Sequence, residues 1–230
     1  MRFIKKLFFT VIVLIIIAVG LVGGAGYKKY KKATEALPID LAARQIAFSE
    51  NYTELENISQ TFVDAMISVE DRRFYKHRGI DPIGIVRAIK INFDEKEAVQ
   101  GGSSITQQLA KNMYFMEDNT FTRKIAESIT AIEIEKRFTK EEILELYFNT
   151  IYYGSGYYSI YDATMGYFGK KPHEITDYES TLLAGIPNAP SVYSLDNDPE
   201  LARQRQKTVV LAMVKNRKLT QADAEEILNQ

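Results

Sequence analysis

Apolar residues are unevenly distributed along this chain. From Leu7 to Tyr27 the run LFFTVIVLIIIAVGLVGGAGY carries no charge, and a helix needs about 20 apolar residues to cross a bilayer. The run therefore predicts a transmembrane helix. A cleaved signal peptide is the alternative, because Gly20, Gly23, Gly24, Ala25 and Gly26 offer small residues to a peptidase; the apolar part of such peptides, however, is only about 7–15 residues long. Arg2, Lys5 and Lys6 before the run nearly balance Lys28, Lys29, Lys31 and Lys32 after it, so flanking charge does not choose an orientation. Segment 28–57, with Pro38 and weak periodicity from Ile39 to Ile46, reads as a stalk and a short extended stretch.

Beyond Ser59 the apolar positions recur at helical spacing: Phe62, Met66 and Val69, then Ile105, Leu109 and Met113. No alternating run signals a large sheet. Thr139 and Glu142 form a capping box ahead of Ile143, Leu144, Leu146 and Tyr147, and Thr220 to Asp223 is placed to cap a last short helix. The chain thus divides into a tip and anchor at 1–27, a stalk at 28–57 and one mainly α-helical domain at 58–230.

Composition narrows the chemistry. With 29 Lys and Arg against 30 Asp and Glu, the chain lacks the basic surplus expected of a nucleic-acid binder. It has no cysteine and only two histidines, His77 and His173, so thiolate nucleophiles and zinc-thiolate sites are excluded and any metal must be held by oxygen.

Three segments concentrate polar chemistry. In Val69 to Asp81 an apolar helix ends in a dense group of charges headed by Glu70. Cations beside a carboxylate favour its ionised form, as a general base requires, although a solvated helix end with surface ion pairs also fits. In Gln100 to Asn112 a glycine turn feeds a helix whose N-terminus suits phosphate. Ser104, Gln108 and Lys111 share its polar face, opposite Ile105, Leu109 and Met113; an ordinary capped amphipathic helix is the plainer alternative. In Arg123 to Phe138 two apolar stripes, Ile125, Ile129 and Ile132 beside Ala131, Ile134 and Phe138, predict a largely buried helix. Glu127 falls within it, with Arg123 one turn away as the nearest cation. A structural ion pair is the competing reading there.

Together these segments resemble the signature motifs of the peptidoglycan glycosyltransferases, the monofunctional wall polymerases and the N-terminal halves of bifunctional penicillin-binding proteins. Glu-Asp-x-x-Phe-x-x-His-x-Gly stands at Glu70 to Gly79, Gly-Gly-Ser-x-Ile-Thr-Gln-Gln-Leu-x-Lys-Asn at Gly101 to Asn112, and Arg-Lys-x-x-Glu at Arg123 to Glu127. Further matches lie at Leu146 to Asn149, Tyr167 to Lys170, Leu182 to Gly185, and Arg205 with Val209 and Met213. The sequence departs from the pattern at Ser104, where threonine is usual, and at Ser159, Tyr161 and Asp162, to which no role is carried over.

The resemblance implies a lysozyme-like helical fold with a head lobe and a membrane-resting jaw, here roughly residues 80–98. It implies inverting polymerisation of lipid II, a disaccharide pentapeptide on undecaprenyl diphosphate, into linear glycan strands with release of the lipid diphosphate. The catalytic pair would be Glu70, as base, and Glu127. Arg73, Ser104, Gln108, Lys111, Asn112, Arg123 and Lys124 would bind substrate, and Glu127 would be the ligand of any Mg or Mn on the diphosphate. The domain would lie outside the cytoplasm on a single-pass anchor, in reach of the growing glycan and of penicillin-binding transpeptidases as partners. No Ser-x-x-Lys or Lys-Thr-Gly occurs in the sequence, so cross-linking chemistry is not expected. A glycan-cleaving muramidase or lytic transglycosylase and a non-catalytic wall-synthesis scaffold are the rival readings.

Overall fold

The computed structural model describes residues 2–95 and 101–230, and among these the regular structure is helical apart from one isolated bridge between Arg78 and Ile80. The first helix, α1 (Arg2–Ala36), is 35 residues long. Its part Phe8–Ala36 is long and apolar enough to cross a membrane, with a mean hydropathy of 2.8. The extended stretch expected within 28–57 is not formed. α1 continues through the lysines to Ala36, and after a break at Pro38, which has no N–H to donate, α2 (Ile39–Ala47) follows. Ile39 and Ala43 of α2 join the main core, so the packed domain begins ahead of residue 58.

Helix α3 (Gln60–Glu70) is the central element, buried through Phe62, Val63, Ala65, Met66 and Ile67. Helices α4 (Pro82–Glu95), α5 (Ile105–Tyr114), α6 (Phe121–Glu135) and α7 (Lys140–Phe148) come next in the chain, and α5 packs against both α6 and α7. The capping boxes at Ser104 and Thr139 both form and fix where α5 and α7 begin. Then follow α8 (Ile160–Phe168), α9 (Asp177–Gly185), the single turn α10 (Pro190–Tyr193), α11 (Pro199–Lys215) and α12 (Gln221–Leu228), the last capped by Thr220 and Asp223. Helices α9 and α11 lie against α3.

The core forms where α3, α5, α6 and α7 meet. Phe62, Met66, Leu109, Ile134, Leu144, Tyr147 and Phe148 are fully enclosed there, with the Phe62 and Phe148 rings edge to face at 5.1 Å. Complete burial of each such side chain contributes about 1.5–3 kcal/mol. Gly79 has φ +87°, and a Cβ there would stand 2.8 Å from the Ala131 backbone, so the loop after α3 can only pass this close to α6 with glycine.

Of the expected jaw, residues 96–98 lie outside the described residues. In the rest, α4 leaves Ile83, Val86, Ile89 and Phe93 largely exposed as one apolar strip, while Ala88 is buried.

Candidate active site

The sequence ends α3 at Glu70, and Asp71 leaves the helix with φ −149°. Its side chain turns inward, where Oδ2 accepts the Ile105 backbone N–H at 3.1 Å and faces His77 Nε2 at 2.8 Å. This buried group ties the end of α3 to the start of α5. At that start Ser104 Oγ accepts the Gln107 N–H, and Gln107 Oε1 accepts the Ser104 N–H at 3.0 Å. The expected phosphate site at the α5 N-terminus is thereby corrected: its backbone donors at 104, 105 and 107 already serve protein acceptors. Side chains further along α5 carry the free charge instead.

Those side chains face a cleft of about 1140 Å³. Among the described residues, Arg72, Arg87, Lys111, Arg123, Lys124, Arg205 and Lys215 line it against two carboxylates, Glu70 and Glu127. A chain with net charge −1 has therefore gathered seven cations in one concavity, where low-dielectric walls strengthen their field.

Glu70 makes no ion pair among the described residues. Its Oε2 accepts from Gln108 Nε2 at 2.7 Å, and Gln108 Oε1 accepts from the Tyr147 hydroxyl at 3.0 Å, which fixes the amide's orientation. Burial pushes the Glu70 carboxyl above its usual range, although the Gln108 hydrogen bond and the charge of Arg205 oppose the shift. The shift runs opposite to the lowering expected from neighbouring cations. Arg73, the nearest in sequence, is drawn instead to Asp81, with Nε 3.2 Å from Oδ1.

Glu127 is 1% exposed and sits on the α6 wall between two cations. Lys124 Nζ lies 2.8 Å from Oε2 and also reaches Ser103 Oγ at 2.6 Å, and Arg123 Nε lies 3.0 Å from Oε1. The Arg123 contact is an ion pair but not an aligned hydrogen bond, so Arg123 Nε and Glu127 Oε1 both remain buried without a hydrogen-bond partner. Buried polar atoms are usually hydrogen-bonded, so two such atoms on a cleft wall suit contact with a polar ligand.

Of the residues expected from sequence, Glu70, Gln108, Lys111, Asn112, Arg123, Lys124 and Glu127 are brought together around the cleft. Two are not. Ser104 is enclosed and donates its hydroxyl to the Gly79 carbonyl, leaving Ser103 on the cleft surface, and Arg73 is held by Asp81 outside the lining. Sequence reasoning left Arg87 to the jaw and counted Arg205 only as a family match, and gave neither a place in the cleft. Arg87 Nη1 and Arg205 Nε are also buried and unpartnered. Their signal was a cation inside an apolar helical pattern: Arg87 between Val86 and Ile89, and Arg205 one turn before the buried Val209.

Among the described residues no three His, Cys, Asp or Glu side chains gather to hold a metal. Glu127, the one ligand expected for Mg or Mn, has both oxygens beside cations. This donor set does not suit a protein-held divalent ion.

The Transglycosylase family matches residues 40–214. Penicillin-binding protein 1A of Aquifex aeolicus is 43% identical over 179 residues, 78% of this chain and 25% of that protein. A Cupriavidus necator protein assigned by name to the transglycosylases is 38% identical over 226 residues, covering 97% of this chain and 96% of its own length. The solved penicillin-binding protein 1A of Haemophilus influenzae aligns over 78% of this chain and 17% of that one, with 18% identity and a TM-score of 0.45, too loose a likeness to bear on details. This chain thus spans about a quarter of the Aquifex aeolicus relative and nearly the whole of the Cupriavidus necator one. With the family match covering most of the chain, the chain belongs to the transglycosylase family.

Proposed function

We propose that the cleft polymerises lipid II by inverting transfer, joining the 4-hydroxyl of an incoming disaccharide to the anomeric carbon of a chain held on undecaprenyl diphosphate. The observation that carries this reading is the pairing of one unpaired, proton-hungry carboxylate with a surplus of fixed cations. Glu70 takes the proton of the attacking hydroxyl as the new C–O bond forms. Burial raises its affinity for a proton, which favours a general base.

 The opposite anomeric C–O bond breaks, and its electron pair leaves on the diphosphate. Lys111, Arg123 and Lys124 stabilise that developing charge, Arg as a planar fork and Lys as point charges. Because the leaving group is already an anion held by cations, no protonated acid is needed on that side. Gln108 fixes Glu70, and Asn112 stands beside Lys111 to orient the donor. A divalent ion, where one is present, would come with the substrate and add to the charge that Lys111, Arg123 and Lys124 supply.

The same reading places the domain outside the cytoplasm, where finished wall lies, with Phe8–Ala36 as the span and the apolar strip of α4 on the lipid surface. Other wall-synthesis enzymes, transpeptidases among them, are the partners it would work beside. Incubating the full chain with labelled lipid II in detergent micelles tests the proposal. Linear polymer with release of lipid diphosphate is expected; soluble fragments from finished wall would identify a cleaving enzyme, and unchanged substrate a scaffold.

A further inference from the structure

The anchor does more than end at the membrane. Below the apolar run α1 packs along α6, the helix that carries Arg123, Lys124 and Glu127. At Gly26 the approach is so close that a Cβ would stand 2.6 Å from Ile125 Cβ, whereas Gly20, Gly23 and Gly24 have nothing within 4 Å. One turn on, Lys29 Nζ pairs with the Asp118 carboxylate and donates to Thr120 Oγ1 at 2.6 Å. Thr120 is the N-cap of α6, and its own N–H donates to Asp118 Oδ1 at 2.8 Å. Just past the end of α1, the Leu37 carbonyl accepts the hydroxyl of Tyr114, the last residue of α5, at 3.0 Å.

These contacts hold both helices that supply the cleft's diphosphate-facing cations, Lys111 on α5 and Arg123 and Lys124 on α6. We propose that Gly26 and Lys29 are positioning residues, through which the extramembrane part of α1 sets the place of the α6 cations. The proposal rests on the reading of those cations as the diphosphate site. A passive tether would act only on local concentration, whereas a strut acts on geometry, where a displacement of about 1 Å can cost up to a hundredfold in rate or affinity.

The test uses full-length chain in detergent micelles, at one fixed mole fraction of lipid II. Lys29→Ala should raise KM about threefold to fivefold, in keeping with the modest worth of a part-exposed ion pair, with kcat within about twofold of the parent. The swap Lys29→Asp with Asp118→Lys should recover most of that loss. Gly26→Leu should raise KM further, by about tenfold, because a side chain forces α1 and α6 apart. As the chain has no cysteine, spin labels at Lys32→Cys on α1 and Ile132→Cys on α6 report their separation directly, whatever the substrate proves to be. A longer distance in Gly26→Leu, with helicity retained, supports the strut. An unchanged distance, or parental KM in both Gly26→Leu and Lys29→Ala, overturns it; a separation that changes in a chain whose parent does not polymerise lipid II counts against the substrate reading and leaves the strut standing.

Discussion

Glu70 and Glu127 face the same cleft from opposite kinds of surroundings. Glu70 ends a helix that is buried from Ala65 to Ser68, has a neutral amide as its hydrogen-bond donor, and is shifted by burial toward keeping its proton. Glu127 lies in mid-helix, 1% exposed, with a cation at each oxygen. The difference teaches that partners decide what a carboxylate in the cleft can do: Glu70, held by a neutral amide, is free to act on a substrate proton, whereas Glu127 is tied to the two cations it positions.

The largest effect should follow from Glu70→Gln. The amide keeps the shape but accepts no proton, so turnover should fall by about 10²–10⁴, the usual worth of general base catalysis, while binding of a non-reacting lipid analogue persists. Steady-state kinetics beside direct binding checks this. Near-normal turnover in this variant, with Glu127→Gln inactive and binding intact, would exchange the two roles.

Glu127→Gln should act on binding. Arg123 and Lys124 would lose the group that aims them, and KM should rise by about tenfold or more with a smaller fall in kcat. Lys111→Ala should resemble it, since both changes act on the same diphosphate. Added Mg or Mn should leave the Glu127→Gln defect unchanged, because the protein's donor set does not hold the ion. Recovery by either metal would restore Glu127 as a metal ligand.

A finer effect concerns Arg205, whose charge lowers the Glu70 carboxyl against the pull of burial. Arg205→Met removes that opposition, so Glu70 should hold its proton to higher pH and the acidic limb of the kcat profile should move upward. A limb that stays in place would mean that Arg205 does not act on Glu70.

Much of this contrast was legible in the sequence, and for a physical reason. Helical periodicity and capping boxes are local, so α3, α5 and α7 were expected near where they occur, and the double stripe around Glu127 announced its burial. What stayed hidden was three-dimensional. The charges after Glu70 are close in sequence, but Arg73 turns away to Asp81, and Glu70's electrostatic neighbour comes from α11 instead. Ser104 read as a ligand because it shares the polar face of Gln108 and Lys111 and falls in the family motif, yet its hydroxyl is spent on the Gly79 carbonyl, 25 residues away along the chain. Segment 28–57 read as a stalk and a short extended stretch because of Pro38 and the weak periodicity from Ile39 to Ile46, whereas packing against α6 carries α1 as helix to Ala36 and α2 forms beyond Pro38.

The smallest effect is the most selective between the two carboxylates, since their amide variants should move stability in opposite directions. A Glu70 carboxyl raised by burial binds its proton more tightly folded than unfolded. Its contribution is therefore fully present below the unfolded value and is lost as pH rises through the folded one. Wild type should lose stability across the window that opens at the ordinary glutamate value of 4.5 and closes at the raised one, while Glu70→Gln, with nothing to titrate there, should not. Above that window Glu70→Gln should be the more stable protein, and each kcal/mol of difference moves Tm by about 2–4 °C in a chain of this size. Glu127→Gln should instead melt lower, because Arg123 and Lys124 remain against the cleft wall without their shared counter-charge. Thermal melts of the three proteins at acidic and neutral pH make the comparison. If Glu70→Gln melted below wild type at neutral pH, Glu70 would be a structural anchor like Glu127, and the distinction between proton acceptor and fixed charge would collapse.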